Sequence, residues 1–456
     1  MATARRLAGV LALVTLTAAL SGCTGEDEPT PAPTTSSATP SPSETVEDSS
    51  LTVGVFGDRP HLDAYQEIVD SFSAANPEID VEVTRFEDSR AAADAALGAL
   101  DFTTDLDVFL ADDRYLAELV LTDGLEPVDT LLEERELEFG DDYQRVALTA
   151  FSANSRLQCM PAEVSPLVVY VNTDLVRRAS PLGDPFLLPD DEDASWTWEE
   201  FTEVAAAAAA LDGLGPIKGA YFPPTIEVLT ALVRSAGGDV VDDVLDPDSL
   251  TLASDDSRET IAEVAGFVRD RALAPTPRQL EERGAAGLFA DGRLAMFVGS
   301  RADLPALRET SGLQFDVLPL PSLGRSRSVS SMTGWCLNAD AGDIDVAADF
   351  IAHAVGPEGS EIAAESGAIV PSGLDVVHDE VFTQPEQQPR NSHVFASAIR
   401  RSDPMPFAVD WDDVVVQVER LLRRLWTRPG LDLEETLEDR LVKLDEGSEG
   451  RLAEPE

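Results

Sequence analysis

Four histidines, His61, His353, His378 and His393, are the first candidates for proton transfer or metal ligation, and their spacing supports neither. No HExxH or His-x-His pattern brings two imidazoles together, so a zinc site or a hydrolytic triad has little to build on. The sequence also lacks a G-x-S-x-G elbow, a Walker sequence and a glycine-rich dinucleotide fingerprint. Carboxylate pairs such as Asp112 with Asp113 are frequent, but a chain with 85 acidic and 33 basic residues yields them by composition alone. The chemistry open to these side chains is recognition through charge and hydrogen bonds. No catalysis, cofactor or bound metal is expected.

Such groups need rigid elements to aim them. LTVGVF (51–56) reads as a β-branched strand, and Leu62, Tyr65, Ile68, Val69 and Phe72 recur at three and four, predicting a helix. Ala75-Asn76-Pro77 ends that helix, VEVTRF (81–86) gives a strand, and a helix over 88–99 leads to the strand LDVFLA (106–111) and the helix DRYLAELV. Alternating strands and helices imply a parallel sheet, whose ligands sit at the carboxyl ends of its strands. Asp58, Arg59, Asp112 and Asp113 fall there. A second α/β stretch follows PLVVYVN (166–172), with a Thr197/Glu200 capping box opening an alanine-rich helix. Further helices are predicted over 226–236, 255–272 and 278–290, then strands over 294–298, 315–320 and 331–338. The remainder reads as helices over 343–355, 357–366, 389–402, 410–426 and 432–443, with residues 444–456 expected to fray as a disordered tail.

The ends carry different information. Arg5 and Arg6 precede an apolar run that closes on small residues, the build of a secretory signal. Leu20-Ser21-Gly22-Cys23 resembles a bacterial lipobox, which implies removal of residues 1–22 and lipidation of Cys23. Residues 24–50, rich in Pro, Thr, Ser and acids, cannot bury enough apolar surface to order and read as a tether of up to about 80 Å. No later stretch approaches the roughly 20 apolar residues of a membrane span. The remaining chain, of roughly 400 residues, suits two domains. Cys159 and Cys336 could form a disulfide or remain two buried thiols, and spacing alone leaves both open. A net charge of -52, with Lys218 and Lys443 the only lysines, excludes a basic stripe for nucleic acid and reads as a solvated acidic surface.

In order along the chain, FSAANPEIDVEV (72–83), DGLEPVD (123–129), PAEVSPLVVYVNTDLVRRA (161–179), SWTWEEF (195–201), FADGRLAMFVGS (289–300), FDVLPLP (315–321), GWCLNAD (334–340) and GPEGSEIAAESGAIVPS (356–372) form a co-linear series. This series resembles the family 1 extracellular solute-binding proteins, which include the maltose-binding receptors. The resemblance implies an α/β, two-lobed periplasmic-binding-protein fold of type II with a ligand cleft between lobes. Lobe one would hold 51–163 and 333–390, and lobe two 164–330 and 391–443, with crossings near 162–166 and 320–335.

It also implies candidates for the cleft. Trp335 and Trp411 are the stacking candidates, each weighed against a core position. Tyr221 and Phe222 lie in a proline-anchored loop, and Glu163 sits near a sugar-binding carboxylate of relatives. Arg301 and Asp303 stand where relatives often present an aromatic or small polar group, and an Arg there suits a carboxylate, phosphate or polyhydroxyl ligand. Trp196 and Trp198 read as structural. The implied function is a monomeric receptor, lipid-anchored at the extracellular face, that passes a mono- or oligosaccharide to ABC permease subunits. The alternative is a surface sensor or interaction protein with a degenerate or non-sugar site.

Overall fold

The computed structural model describes residues 49–98, 106–137, 139–180, 195–212, 216–244, 246–428 and 430–453. The signal segment, Cys23 and nearly all of the tether lie outside the described residues. Strand Ser49–Val55 pairs in parallel with Ile79–Arg85, Val53 opposite Val83, and with Val108–Asp112, Val53 also opposite Val108. The helix Arg59–Ala75 joins the first two and buries His61, Ala64, Tyr65, Ile68, Val69 and Phe72 along one face. The long strand Ser328–Asn338 runs antiparallel to Val108–Asp112 and, on its other edge, to Cys159–Pro166. There Cys336 lies opposite Cys159 and the two are joined in a disulfide, so the choice left open by spacing falls to the bonded form. Leu125–Glu126 and Ser402–Asp403 complete this seven-stranded sheet.

A second sheet runs in the order Phe315–Leu318, Val168–Asn172, Leu294–Gly299, Lys218–Tyr221. Every residue of Val168–Asn172 is buried, and strand alternation divides them between two cores. Tyr170 stacks on Phe297 at 4.9 Å on one face, while Val169 and Val171 join the other core. The predicted capping box opens the helix Trp198–Ala209. Its alanines let it press on Lys218–Tyr221 so closely that a Cβ on Gly219 would lie 2.3 Å from the Ala205 carbonyl oxygen.

The chain passes from the first sheet to the second between Pro166 and Val168 and returns between Leu318 and Ser328. These crossings are tied together: the Leu167 N–H donates to the Val329 carbonyl at 3.1 Å, and the Ser328 hydroxyl to the Leu167 carbonyl at 3.0 Å. A third crossing follows Ser402–Asp403. Helix His393–Ile399, placed by the resemblance in lobe two, buries Val394, Phe395, Ala396, Ala398 and Ile399 in a cluster shared by the first sheet and one face of the second, and packs mainly on Cys159–Pro166 and Ser328–Asn338. Helix Trp411–Thr427 belongs to the second core.

The expected frayed tail is a correction as far as residue 453, residues 454–456 lying outside the described residues. Helix Leu433–Ser448 continues past residue 443, Asp445 accepts from the Leu252 and Ala253 N–H groups, and the Ser448 hydroxyl accepts from Leu250 N–H. Leu452 is 1% exposed in the second core. One buried leucine and these backbone contacts order a stretch whose composition alone suggests none.

Candidate ligand-binding site

Asp58 and Asp112 stand at the carboxyl ends of parallel neighbours in the first sheet, where the strands hand over to the next helical segment. Asp58 caps helix Arg59–Ala75, accepting from the His61 N–H at 3.3 Å, and the His61 Nδ1 lies 2.5 Å from the same oxygen. Gly57, at φ +134°, permits the approach, since a Cβ there would meet the His61 Cβ at 2.8 Å. The other ring nitrogen, Nε2, lies 3.5 Å from Glu163, which is buried on the crossing strand Cys159–Pro166. Burial alone would pull the His61 pKa down, but Glu163 and Asp58 together lift it to about 10, so the imidazole is a fixed cation between two carboxylates. The hydrogen bond from His61 in turn holds Asp58 below the ordinary carboxylate range.

Beside this trio, Asp112 accepts from the Thr333 hydroxyl at 3.3 Å. Burial pushes the Asp112 carboxyl up to about 6, against the pull of Arg114. Burial and the neighbouring Asp112 push Asp113 up to about 7. Arg114 reaches out of the first lobe: its Nη2 lies 3.4 Å from Glu227 and its Nη1 3.9 Å from Asp412, at the starts of helices Ile226–Ala236 and Trp411–Thr427 in the second core. A cavity of about 480 Å³ lies on the far side of Arg114 from this trio, lined by Asp113, Arg114, Arg145, Thr149, Met405 and Phe407 among others, and Asp58, His61, Asp112 and Glu163 do not line it. Carboxylate acceptors, a guanidinium fork and a tyrosine hydroxyl at Tyr115 are the groups that hydrogen-bond a polyhydroxyl solute.

The remaining candidates divide by burial. Asp303 is half-buried, accepts from the Ser300 N–H at 3.1 Å, and is raised to about 6 by burial, with Asp58 adding to the shift. Tyr221 is half-buried at the end of Lys218–Tyr221. Four others show no free face. Trp335 is 1% exposed, wedged edge-to-face between Tyr65 at 5.6 Å and Phe350 at 5.3 Å, because its strand is covered on both sides. Trp411 is buried in the second core, and Phe222 packs among Trp198, Phe201 and Phe267. Arg301 is wholly buried, its guanidinium 3.8 Å over the Phe382 ring and donating to the Phe382 carbonyl; burial and nearby Arg308 lower its pKa to about 9. Arg59 is the opposite case: its side chain is 91% exposed and its ion-pair partner, Asp63, lies on its own helix.

Residues 67–389 match a family model described as bacterial extracellular solute-binding protein. The chain belongs to this family. Among solved structures, an ABC substrate-binding protein from Listeria monocytogenes in complex with cycloalternan aligns with this solute-binding protein at a TM-score of 0.76 and 18% identity, covering 88% of this chain and 99% of that one. A maltose-bound protein of T. maritima aligns at 0.72 and 18%, covering 88% and 98%. A Mycobacterium tuberculosis protein in complex with glycerophosphocholine aligns at 0.68 and 20%, covering 86% and 97%. At such identities the likeness establishes the fold: an α/β, two-lobed periplasmic-binding-protein architecture. No helix among the described residues is long and apolar enough to cross a membrane.

His61, Arg114, Glu227 and Asp412 carry the charge pattern of this site; the sequence raises His61 only as a candidate for proton transfer or metal ligation and does not point to the other three. His61 had a usable signal, since an Asp at a helix N-cap with a His three residues on places both groups on one turn. Arg114 had none, because its partners lie 113 and 298 positions away.

Proposed function

We propose that this solute-binding protein is the extracellular receptor of an ABC importer, that its solute is a mono- or oligosaccharide, and that Cys23 anchors it to the membrane by lipid. The observation that carries the reading is the row Asp58, His61, Glu163 and Asp112 at the carboxyl edge of the first sheet, with Arg114 reaching from it to the second lobe. A hydroxyl-rich ligand offers donors to the carboxylates and acceptors to the cations, and hinge closure would remove it from water. Saccharide ligands in two of the structural neighbours support the class. Asp58, Glu163, Asp112, Tyr221 and Asp303 are the residues assigned to solute contact in this reading, as part of a binding site rather than a catalytic one. Lipidation rests on the lipobox pattern alone.

A second reading, a non-sugar solute or a sensing role, is favoured by one feature: Trp335 and Trp411 are both buried, leaving no indole face to stack on a sugar ring. A thermal-shift screen of sugars, sugar acids, polyols and phosphodiester headgroups separates the two. A solute at 100 times its Kd adds about 2.7 kcal/mol of stability. A shift with saccharides supports the first reading, and a shift confined to other classes replaces it with the second.

A further inference from the structure

Charge at the carboxyl edge of the first sheet is mostly satisfied within its own lobe: His61 by Asp58 and Glu163, Asp112 by Thr333. Arg114 differs. Besides a 4.0 Å approach to Asp112, its guanidinium spans to Glu227 at 3.4 Å and Asp412 at 3.9 Å, and the neighbouring Tyr115 hydroxyl donates to Asp412 at 3.4 Å. Glu227 and Asp412 move with the second lobe if the hinge opens, because their helices are packed in its core. Asp112 and Asp113 face them from the first lobe, and the charge of Glu227 contributes to the raised pKa of Asp113. Bringing the lobes together therefore sets carboxylates against carboxylates, with the guanidinium of Arg114 between them.

We propose that Arg114 is an interlobe latch, whose ion pairs to Glu227 and Asp412 favour the closed arrangement independently of any solute. The inference goes beyond the receptor reading and holds whatever the solute is. Isolated exposed ion pairs contribute little, but these join two bodies that otherwise pivot about short crossings, so their effect falls on the open–closed ratio rather than on folding. A solute then shifts that ratio only by its own preference for the closed form.

The test uses the chain from Asp48 onward, which forms one compact unit. Spin labels at Asp70→Cys and Glu259→Cys, exposed positions on helices Arg59–Ala75 and Asp255–Arg269, which pack in the first and the second core, report the interlobe distance distribution by pulsed dipolar spectroscopy. Arg114→Ala is expected to move the open-to-closed ratio about fivefold toward open at low salt, and 1 M NaCl, where the Debye length falls to about 3 Å, should move the parent chain the same way. Arg114→Lys, which keeps the cation between the same carboxylates, should stay closer to the parent distribution than Arg114→Ala does, and the salt response should be lost in Arg114→Ala, which a merely space-filling role would not produce. If Arg114→Ala melts below the measuring temperature, the pair Glu227→Gln with Asp412→Asn is read instead, with the same direction expected. Distributions unchanged by these substitutions, or an Arg114→Ala chain that still opens with salt as the parent does, would overturn the latch.

Discussion

The two ends of the polar row are built on opposite principles. Asp58, His61 and Glu163 form a network within the first sheet and its first helix, with a buried imidazolium clamped between carboxylates. Arg114, Glu227 and Asp412 form a network that exists only when the lobes meet. The first is a fixed floor that survives hinge motion, and the second is made and broken by it. Removing a group from the floor should therefore register as lost folding stability along with lost solute contact, whereas removing one from the cross-lobe end should register as altered closure and affinity with folding stability little changed.

The largest expected effect is on the floor. His61→Ala leaves Glu163 buried without its cation, which costs about 3–5 kcal/mol when one partner of a buried pair is lost. Urea unfolding would show it, and an unchanged midpoint would dissolve the distinction between the two ends. Trp335→Ala should cost a similar 3–5 kcal/mol as a core truncation. Glu227→Gln, by contrast, should leave the unfolding midpoint close to that of the parent.

The pH dependence sharpens the contrast. The His61 pKa rises from 6.5 to about 10 on folding, so its contribution is fully present below about pH 6.5 and is lost as pH climbs through 10. Asp112 and Asp113 rise from 3.8 to about 6 and about 7, so their native forms favour the proton and stability falls as pH rises through 4 to 7. Both limbs slope downward with pH. Asp113→Asn should flatten the acid limb and add about 1–2 kcal/mol at pH 8, a figure discounted for its partial exposure. His61→Gln should flatten the alkaline limb. Melting curves from pH 5 to 10 that lack either slope would contradict the assigned shifts. The smallest expected effect belongs to Arg59→Ala, within about 0.5 kcal/mol, because that side chain is in solvent.

Most of the fold is readable from pattern. Strand and helix alternation and the Thr197/Glu200 capping box follow from local periodicity and spacing, whereas the two-lobed arrangement is what the resemblance carried by the co-linear motifs implies. The site is readable only in part. Asp58 and Asp112 follow from their place after parallel strands. Trp335 and Trp411 do not, because a tryptophan on a strand or helix start carries no sign of which layers will cover it. The ordered end of the chain is hidden for a similar reason: Leu452 is a single apolar residue after a run of Glu and Gly, and only the second core reveals its socket. Arg114 depends on contacts across the hinge, which no local pattern records.

The receptor reading is tested most directly by calorimetric titration of the chain from Asp48 onward with a saccharide panel, repeated on Asp58→Asn and Glu163→Gln. At least one saccharide should bind with a Kd in the micromolar range or below, and each substitution should weaken it about tenfold or more, the equivalent of 1.4 kcal/mol for a lost charged hydrogen bond. Absence of heat with every saccharide, or affinities untouched by both substitutions, would contradict the assignment of this site and its solute.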